Sequence, residues 1–272
     1  MKVKDHFLTG EEFELVETQI KGIYKTTPLP SNLSKYYESK DYISHHQDSG
    51  SLKEKIYKFL QGFNLNFKRN LLAKEIGINL KILDYGCGAG EFVKFIEEEY
   101  ITFGYEPNES ARNAAKAKAK KTEFISSLDE IEDNSLDAIT LWHVFEHVEN
   151  QQDILNTFYK KLKNNGLLVL AVPNHTSYDG QKYKEYWAAY DVPRHIWHFS
   201  KSGMEKLMNN KQWRLKKIKP LLLDSYYISL LSEKYKKSPL FWIKGFIFGA
   251  ISNLKATKSG EFSSLVYLIE KR

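Results

Sequence analysis

The chain has a single cysteine, and this scarcity excludes one class of fold at once. Its 272 residues include only 1 Cys, 7 Pro and 3 Met. Cys87 alone cannot form an internal disulfide, so we expect a protein of a reducing compartment and not a disulfide-stapled secreted domain. The first residues lack the apolar centre of a secretory signal. The longest apolar stretch, around residues 246–251, is far too short to span a bilayer. We therefore expect a cytoplasmic protein without stable membrane insertion.

The excess of positive over negative charge is also modest. The formal net charge is +6, and many lysines lie in Ala/Lys-rich runs such as residues 112–121. Such a run is typical of a solvated helix face, and no aromatic residues interleave it, so we expect no nucleic-acid partner. By contrast, apolar residues are plentiful at 42%, with 16 Phe and 17 Tyr. A chain of this length and composition can bury one large α/β core with additions.

Residues 82–92 carry the most informative pattern, ILDYGCGAGEF. An apolar run ends at Asp84, and Gly86, Gly88 and Gly90 follow at alternate positions before a helical pattern begins. Glycines suit a tight turn whose backbone must approach a ligand, and the N-terminus of the following helix favours an anionic group. Glu106 ends a second short strand about 20 residues later, where a carboxylate can accept both hydroxyls of a ribose. The pattern predicts a nucleotide-type cofactor.

The spacing D-x-G-x-G-x-G differs from the dinucleotide fingerprint G-x-G-x-x-G. The string LDYGCGAGE, followed by Glu106, resembles the first motif of class I S-adenosylmethionine-dependent methyltransferases, in the quinone-O-methyltransferase-like, type 11 or 23 branch. The resemblance implies S-adenosylmethionine as cofactor and S-adenosylhomocysteine as product. It also implies that Asp84 and the glycine loop, with Cys87 inside it, hold the methionine part, and that Glu106 holds the ribose. There are two alternatives. One is a nicotinamide-dependent oxidoreductase, and the other is a non-catalytic S-adenosylmethionine-binding module that acts through an apolar C-terminal surface.

Strand and helix patterns alternate along the core. Strands are predicted at residues 81–84, 102–106, 122–125, 136–141, 167–173, 214–219 and 262–269. Helices are predicted at 150–162, closed by Asn164-Asn165-Gly166, and at 201–209. Alternation of this kind predicts a mostly parallel sheet. The resemblance implies an α/β, Rossmann-like sheet of seven strands with an antiparallel last strand, an N-terminal lid and a C-terminal helical insertion.

The predicted domain organisation has four parts. Residues 1–78 form an extension and lid, 79–220 the cofactor-binding core, 221–260 an apolar helical insertion, and 261–272 the final core strand. In the first part, the residues up to Pro30 are predicted to form a short strand or hairpin, and residues 31–49 a loop or broken helix. Ser51 and Glu54 are predicted to form a capping box that opens a helix, which is interrupted near Gly62 and ends by Gly77.

The string LDAITLWHVFEHV at residues 136–148 places Trp142 and His143 at a strand end. Ligands lie beyond the carboxyl ends of parallel strands, so both side chains are predicted to face the pocket, with a helix beginning there. The string resembles the fourth motif of quinone O-methyltransferases. His143, Glu146 and His147 would share one helix face, where some relatives bind a divalent metal. Because His143 stands where the first acid would be, we predict no metal, and Glu146 and His147 would instead brace the loops.

Other candidates are less specific. The resemblance implies that Ser126, Ser127 and Leu128, after the third strand, lie near the adenine. Aromatic side chains can contact a sulfonium, which gives Tyr36, Tyr37 and Trp142 a binding role, with lid packing as the alternative. The predicted cofactor-binding set comprises Asp84, Gly86, Cys87, Gly88, Gly90, Glu106, Ser127, Leu128, Trp142 and Tyr37.

The segment at residues 190–199, YDVPRHIWHF, must cross the pocket mouth after the fifth strand. His195 is the predicted general base, because histidine titrates near physiological pH, and His143 is the second candidate. The alternative is a polar clamp of Asp191, Arg194 and His195. Residues 221–251 are apolar with interleaved lysines. They are predicted to form two helices that cover the sheet or a dimer surface, or a lid for a lipid-like acceptor that contacts a membrane peripherally. The acceptor itself is expected to be a small molecule: lipid-like, a quinone precursor or a sugar hydroxyl.

Overall fold

A computed structural model describes residues 1–37 and 52–272 of the chain. Within these residues the strands are, in chain order, β1 (Lys2–Lys4), β2 (Glu12–Glu17), β3 (Ile23–Thr27), β4 (Lys81–Tyr85), β5 (Ile101–Tyr105), β6 (Glu123–Ile125), β7 (Leu136–Trp142), β8 (Leu162–Pro173), β9 (Trp197–Phe199), β10 (Trp213–Pro220) and β11 (Ser264–Lys271). The α-helices are α1 (Leu52–Ile76), α2 (Glu91–Ile96), α3 (Glu109–Lys118), α4 (Gln151–Lys161), α5 (Tyr178–Tyr183), α6 (Lys201–Leu207), α7 (Asp224–Tyr235) and α8 (Phe241–Ser259).

The larger sheet has seven strands in the order β10-β11-β8-β7-β4-β5-β6. Its strands from β4 to β8 pair in parallel, whereas β11 runs antiparallel to both β8 and β10. This confirms the predicted Rossmann-like sheet with an antiparallel last strand. The centre of β8 is buried on both faces, which is why its sequence is a continuous apolar run rather than an alternating one.

Two apolar layers cover the faces of this sheet. Leu83, Ile139 and Leu168 belong to one layer, and their chain neighbours Ile82, Ala138 and Val169 belong to the other. Successive strand residues point to opposite faces, so each strand contributes to both layers. The carboxyl ends of the parallel strands therefore meet at one edge, where the loops collect.

A smaller antiparallel sheet, β1-β2-β3-β9, lies at that edge. The predicted N-terminal hairpin is part of it, but β9 was not predicted, because only pairing with β3 (Ile23 opposite Phe199) makes that short segment a strand. Phe199 also bridges to Asn174, the residue after β8. The small sheet is thereby fixed next to the carboxyl ends of the large one.

Four local predictions need correction or lie outside the described chain. Helix α1 is continuous, so the predicted break near Gly62 is wrong, and it ends one residue before Gly77 with φ +90°. Ser51 and residues 38–49 of the predicted loop lie outside the described residues. No α-helix begins directly at His143 after β7, where one was predicted; the chain first makes a 3₁₀ turn at Phe145–His147, and α4 begins only at Gln151. The predicted stop at Asn164-Asn165-Gly166 instead lies inside β8, where its pairing with β7 shifts register.

The insertion after β10 contains two helices, α7 and α8, as expected, and they pack against each other. Across the described part of the chain, none of the helices combines the length and apolarity that crossing a membrane requires.

Candidate active site

The loop between β4 and α2 shows why three glycines are needed. Gly86, Gly88 and Gly90 have φ of +79°, +54° and +79°, a region that L side chains rarely adopt. A Cβ on Gly86 would lie 2.5 Å from Val144 Cγ2, and one on Gly90 would lie 2.9 Å from Ala115 Cα. A Cβ on Gly88 would meet nothing within 4 Å. Gly86 and Gly90 are therefore fixed by packing, whereas Gly88 borders open space that a ligand can approach.

Glu106 lies directly beside this loop. Its carboxylate accepts hydrogen bonds from the Gly88 N–H and from the Asn108 N–H, both at 2.9 Å. These bonds fix the orientation of the side chain at the end of β5. Glu106 therefore lies next to the glycine loop, as the sequence predicted. Its contact with a ribose stays a prediction.

Asp84 is the buried acid of the site, at 3% exposure. The Thr140 hydroxyl donates to its Oδ1 at 2.6 Å. Burial raises the pKa of Asp84 to about 6, against the opposing effects of Thr140 and of the nearby Lys68 ammonium. A carboxylate with this raised pKa is held at a free-energy cost, which is common where a group serves binding rather than stability.

Lys68, on α1, is a residue that the sequence analysis missed. Its Nζ lies 4.6 Å from the centre of the Trp142 ring and 5.5 Å from that of Phe92. Burial lowers the pKa of Lys68, while Asp84 and Asp224 oppose this shift. No carboxylate of the described residues lies within ion-pair distance of Nζ. One lysine among many on α1 gives no sequence signal; only the fold places it over Asp84.

Trp142 and His143 end β7 as predicted, but they have different surroundings. The Trp142 ring packs edge-on against Phe92, and its Nε1–H is buried without an acceptor among the described residues. His143 has φ +57° and lies between two carboxylates, with Nε2 2.8 Å from Asp224 Oδ2 and Nδ1 3.3 Å from Glu146 Oε1. Burial alone would lower the pKa of His143, but Asp224 and Glu146 raise it to about 10. His143 is therefore an imidazolium at neutral pH.

His195 lies on the wall of a cavity of about 460 Å³. Its Nδ1 is 2.8 Å from the Ala189 carbonyl oxygen, which can only accept, so Nδ1 carries the proton. In the neutral tautomer that this bond favours, Nε2 carries the lone pair, and it lies 4.0 Å from Glu146 Oε1. The side chain is 12% exposed, so the imidazole does not point into the core and its predicted role as a base keeps its geometric basis.

The Asp191–Arg194 pair of the predicted clamp is present, and the His195 ring is tied to the same loop through its bond to the Ala189 carbonyl oxygen. Arg194 is 1% exposed and donates to both carboxylate oxygens of Asp191, to Asp5 and to the Tyr36 carbonyl oxygen. These bonds tie the N-terminal segment to the loop after β8. Asp191 and Arg194 therefore shape the cavity wall that His195 also lines.

Glu146, His147 and His195 form a second cluster at this wall. One potential ligand atom from each lies within 4.8 Å of the others, a spacing that a metal ion could bridge. Burial lowers the pKa of His147 to about 4, so its ring is neutral, and Nδ1 lies 2.9 Å from the Arg194 carbonyl oxygen. This set differs from the one considered from sequence, because His195 replaces His143. The expected absence of a metal stays a prediction.

The side chains of four predicted cofactor-binding residues do not line the open side of the glycine loop: Cys87, Ser127, Leu128 and Tyr37. Cys87 is buried with Val93 and Ala119, and burial raises the pKa of its thiol, so its side chain serves packing. Ser127 caps a 3₁₀ turn that begins at Leu128, and its hydroxyl accepts from the Asp129 N–H. The Tyr37 hydroxyl lies 3.1 Å from His147 Nδ1, on the cavity side.

Tyr36 takes the packing role rather than the binding role. Its ring packs against Phe13, and its hydroxyl donates to Glu11.

Aromatic and aliphatic side chains form most of the cavity, and its polar groups are concentrated near the ends of β7 and β8. Phe7 from the N-terminal segment and four residues of α7 supply apolar surface: Tyr227, Ile228, Leu231 and Tyr235. His143, Asp224 and His195 supply polar groups. His143 lines the cavity and the side chain of the next residue, Val144, packs against Gly86 of the glycine loop, while the N-terminal segment and the insertion line the other side of the cavity.

Comparison with known proteins agrees with this geometry. A carboxy-S-adenosyl-L-methionine synthase of Campylobacter jejuni is 29% identical over 118 residues, 40% of this chain and 50% of that protein. The ubiquinone/menaquinone biosynthesis C-methyltransferase UbiE of the same species is 28% identical over 103 residues, 34% of this chain and 44% of that protein. The chain thus spans about half the length of the curated relatives that it matches.

The fold is similar to that of the geranyl diphosphate C-methyltransferase from Streptomyces coelicolor, with a TM-score of 0.51 at 12% identity, over 76% of this chain and 77% of that one. A family model described as a methyltransferase domain matches residues 46–217, more than half of the chain. The chain therefore belongs to the methyltransferase-domain family, as its glycine and acid motifs predicted.

Proposed function

We propose that the protein binds S-adenosylmethionine at the glycine loop and transfers its methyl group to a small-molecule acceptor in the adjoining cavity. The observation that carries this proposal is the combination of a Gly88 backbone that borders open space with Asp84, Glu106 and Lys68 around it. When bound, the cofactor supplies a methyl group on a sulfonium, which is already a strong electrophile. The protein has to bind, orient and exclude water.

The charges around the loop fit a zwitterionic amino-acid moiety. Lys68 is a half-buried cation without an ion-pair partner among the described carboxylates, so it is available for an α-carboxylate. Asp84 lies next to it and is available for an α-ammonium group. Burial disfavours the ionised carboxylate of Asp84, and a bound ammonium group would favour it. Glu106 would hold the ribose hydroxyls in place of, or together with, its bonds to the loop N–H groups.

On the acceptor side, His195 is the better candidate for the base. Its Nε2 carries a lone pair, whereas His143 is held protonated between Asp224 and Glu146 and cannot accept a proton at neutral pH. For a hydroxyl acceptor, the O–H proton would pass to His195 Nε2 as the oxygen takes the methyl group. The apolar walls favour an acceptor with an apolar body and one polar end, such as a quinone precursor or another lipid-like molecule, over a sugar. The single cysteine favours a cytoplasmic location.

Isothermal titration calorimetry with S-adenosylhomocysteine, methylthioadenosine and NAD tests the cofactor. We expect binding of the first two and none of NAD. Methylthioadenosine lacks the amino-acid carboxylate, so Lys68→Gln should weaken S-adenosylhomocysteine binding by about tenfold or more and leave methylthioadenosine nearly unchanged. Tight NAD binding without S-adenosylhomocysteine binding would refute the proposal and favour the oxidoreductase alternative. Label transfer from methyl-tritiated cofactor into a cell extract would exclude the non-catalytic alternative.

A further inference from the structure

The face of helix α8 that packs on the protein is made mostly of small residues, with Phe248 as its one large member, and most of its large apolar residues face outward. Gly245, Gly249, Ser252 and Ala256 are buried. A Cβ on Gly245 would lie 2.5 Å from Leu230 Cα, and one on Gly249 would lie 2.7 Å from Tyr226 Cα. The backbones of α7 and α8 therefore touch, which fixes the orientation of α8. Its outward face is consequently a fixed feature of the surface.

The outward face of α8 is apolar over an unusual width. Its members are Trp242, Ile243, Phe246, Ile247, Ala250 and Leu254, which at 100° per residue span about 140° of the helix. Trp242 is 58% exposed, Phe246 66% and Leu254 70%. A helix face of this width is normally buried against a core, and exposed apolar patches mark binding surfaces. We call this set of six residues the α8 face.

The apolar surface continues beyond α8. The Asn253 side chain donates to the Leu222 carbonyl oxygen at 2.8 Å, and Leu222 is itself exposed. Leu222 and the exposed Phe63 of α1 line the same shallow cleft, which ends at Asp224. Asp224 also lines the 460 Å³ cavity. The α8 face and the mouth of the cavity are thus parts of one side of the molecule.

The charged residues of the segment that carries the α8 face are all basic. Residues 234–260 contain six lysines and no Asp or Glu. Lys234, Lys236 and Lys237 are exposed at the end of α7, immediately before α8 begins. Two copies of this face brought together would oppose twelve lysines with no acid of the same segment to pair them. An anionic surface complements the lysines, and Trp and Phe are the side chains that insert at a lipid–water interface.

We propose that the α8 face and its flanking lysines dock the protein onto the surface of an anionic lipid bilayer, without spanning it. Aromatic side chains would enter the headgroup region while the lysines contact acidic headgroups. This proposal rests on the α8 face and its charge alone, so it stands or falls separately from methyl transfer.

Vesicle sedimentation of the full chain tests it. We expect the protein to pellet with vesicles of phosphatidylcholine containing about a third phosphatidylglycerol, and not with pure phosphatidylcholine, with binding lost at high salt. Lys236→Gln with Lys237→Gln should weaken binding roughly thirtyfold, since each lysine near such a surface strengthens binding by about fivefold. Trp242→Ala with Phe246→Ala should weaken it at least tenfold. Ile78→Ala with Ile101→Ala, which removes two exposed isoleucines elsewhere, should change nothing.

Three results would overturn the proposal. The first is no sedimentation of the unaltered chain with anionic vesicles. The second is equal binding by the Trp242→Ala, Phe246→Ala variant. The third is a dimer in solution, measured by light scattering, that the same double substitution dissociates, because the α8 face would then be covered by a second copy. All six side chains substituted in the three double variants are exposed, so the variants are expected to fold.

Discussion

Replacing Asp84 by Asn should make the protein more stable and at the same time a weaker binder of its cofactor. Asn keeps the shape of the side chain, and its carbonyl oxygen can still accept from the Thr140 hydroxyl. What it removes is a buried negative charge that the fold disfavours. Stability and binding should therefore move in opposite directions at a single position.

The magnitude follows from the shifted titration. Burial raises the pKa of Asp84 from 3.8 to about 6. Two pKa units correspond to roughly 3 kcal/mol. A carboxyl whose folded pKa lies above its unfolded pKa contributes stability that is fully present below pH 3.8 and is lost as the pH rises through 6. Asp84→Asn should therefore gain little at pH 4 and up to about 3 kcal/mol at pH 8.

Urea unfolding at pH 4, 6 and 8 measures this difference, and calorimetry with S-adenosylhomocysteine at pH 8 measures the loss of affinity. If Asp84 meets the ammonium group, the loss should be roughly tenfold or more. Asp133→Asn is the matched control, because Lys161 lowers the pKa of this exposed carboxyl and its removal should give no gain at high pH. A stability difference for Asp84→Asn that does not change with pH, or a loss at pH 8, would refute the reasoning.

Three further substitutions test the rest of the site. Glu106→Ala should weaken S-adenosylhomocysteine binding at least tenfold by calorimetry, because each lost charged hydrogen bond contributes roughly 1.5–3 kcal/mol. Glu109→Ala, on the same surface, should leave the affinity unchanged, and equal affinities of the two variants would place the ribose elsewhere. His195→Ala should lower label transfer to acceptor by roughly 10²–10⁴ with cofactor affinity nearly unchanged, and an unchanged rate would leave His195 a structural role only. Gly88→Ala should strain the backbone by about 1–2 kcal/mol and also weaken S-adenosylhomocysteine binding. Gly10→Ala, at φ +73° and with equally open surroundings, should strain the backbone without changing this affinity. Equal affinities of the two variants would show that no ligand approaches Gly88.

The large sheet and the glycine loop with its two acids could be predicted from the sequence because that information is local. Asp84, the three glycines and Glu106 lie on one strand–turn–helix–strand unit, whose periodicity and turn residues are readable within 25 residues. The antiparallel direction of β11 was expected only because the glycine motif resembles that of the methyltransferase family. Periodicity alone does not contain it, because FSSLVYLI gives no strand direction.

The tertiary structure decided what surrounds that unit. His143 and Asp224 are 81 residues apart, and their contact converts a candidate base into an imidazolium. Lys68 comes next to Trp142 only because α1 packs on one face of the large sheet, with Leu72 in the same apolar layer as Ile82, and β9 becomes a strand only through β3. Pairings between distant segments depend on how the layers pack, and nothing in the neighbouring residues records them. The sequence therefore predicted where a cofactor would bind, and the packing determined which charges meet at that place and which face of α8 remains exposed.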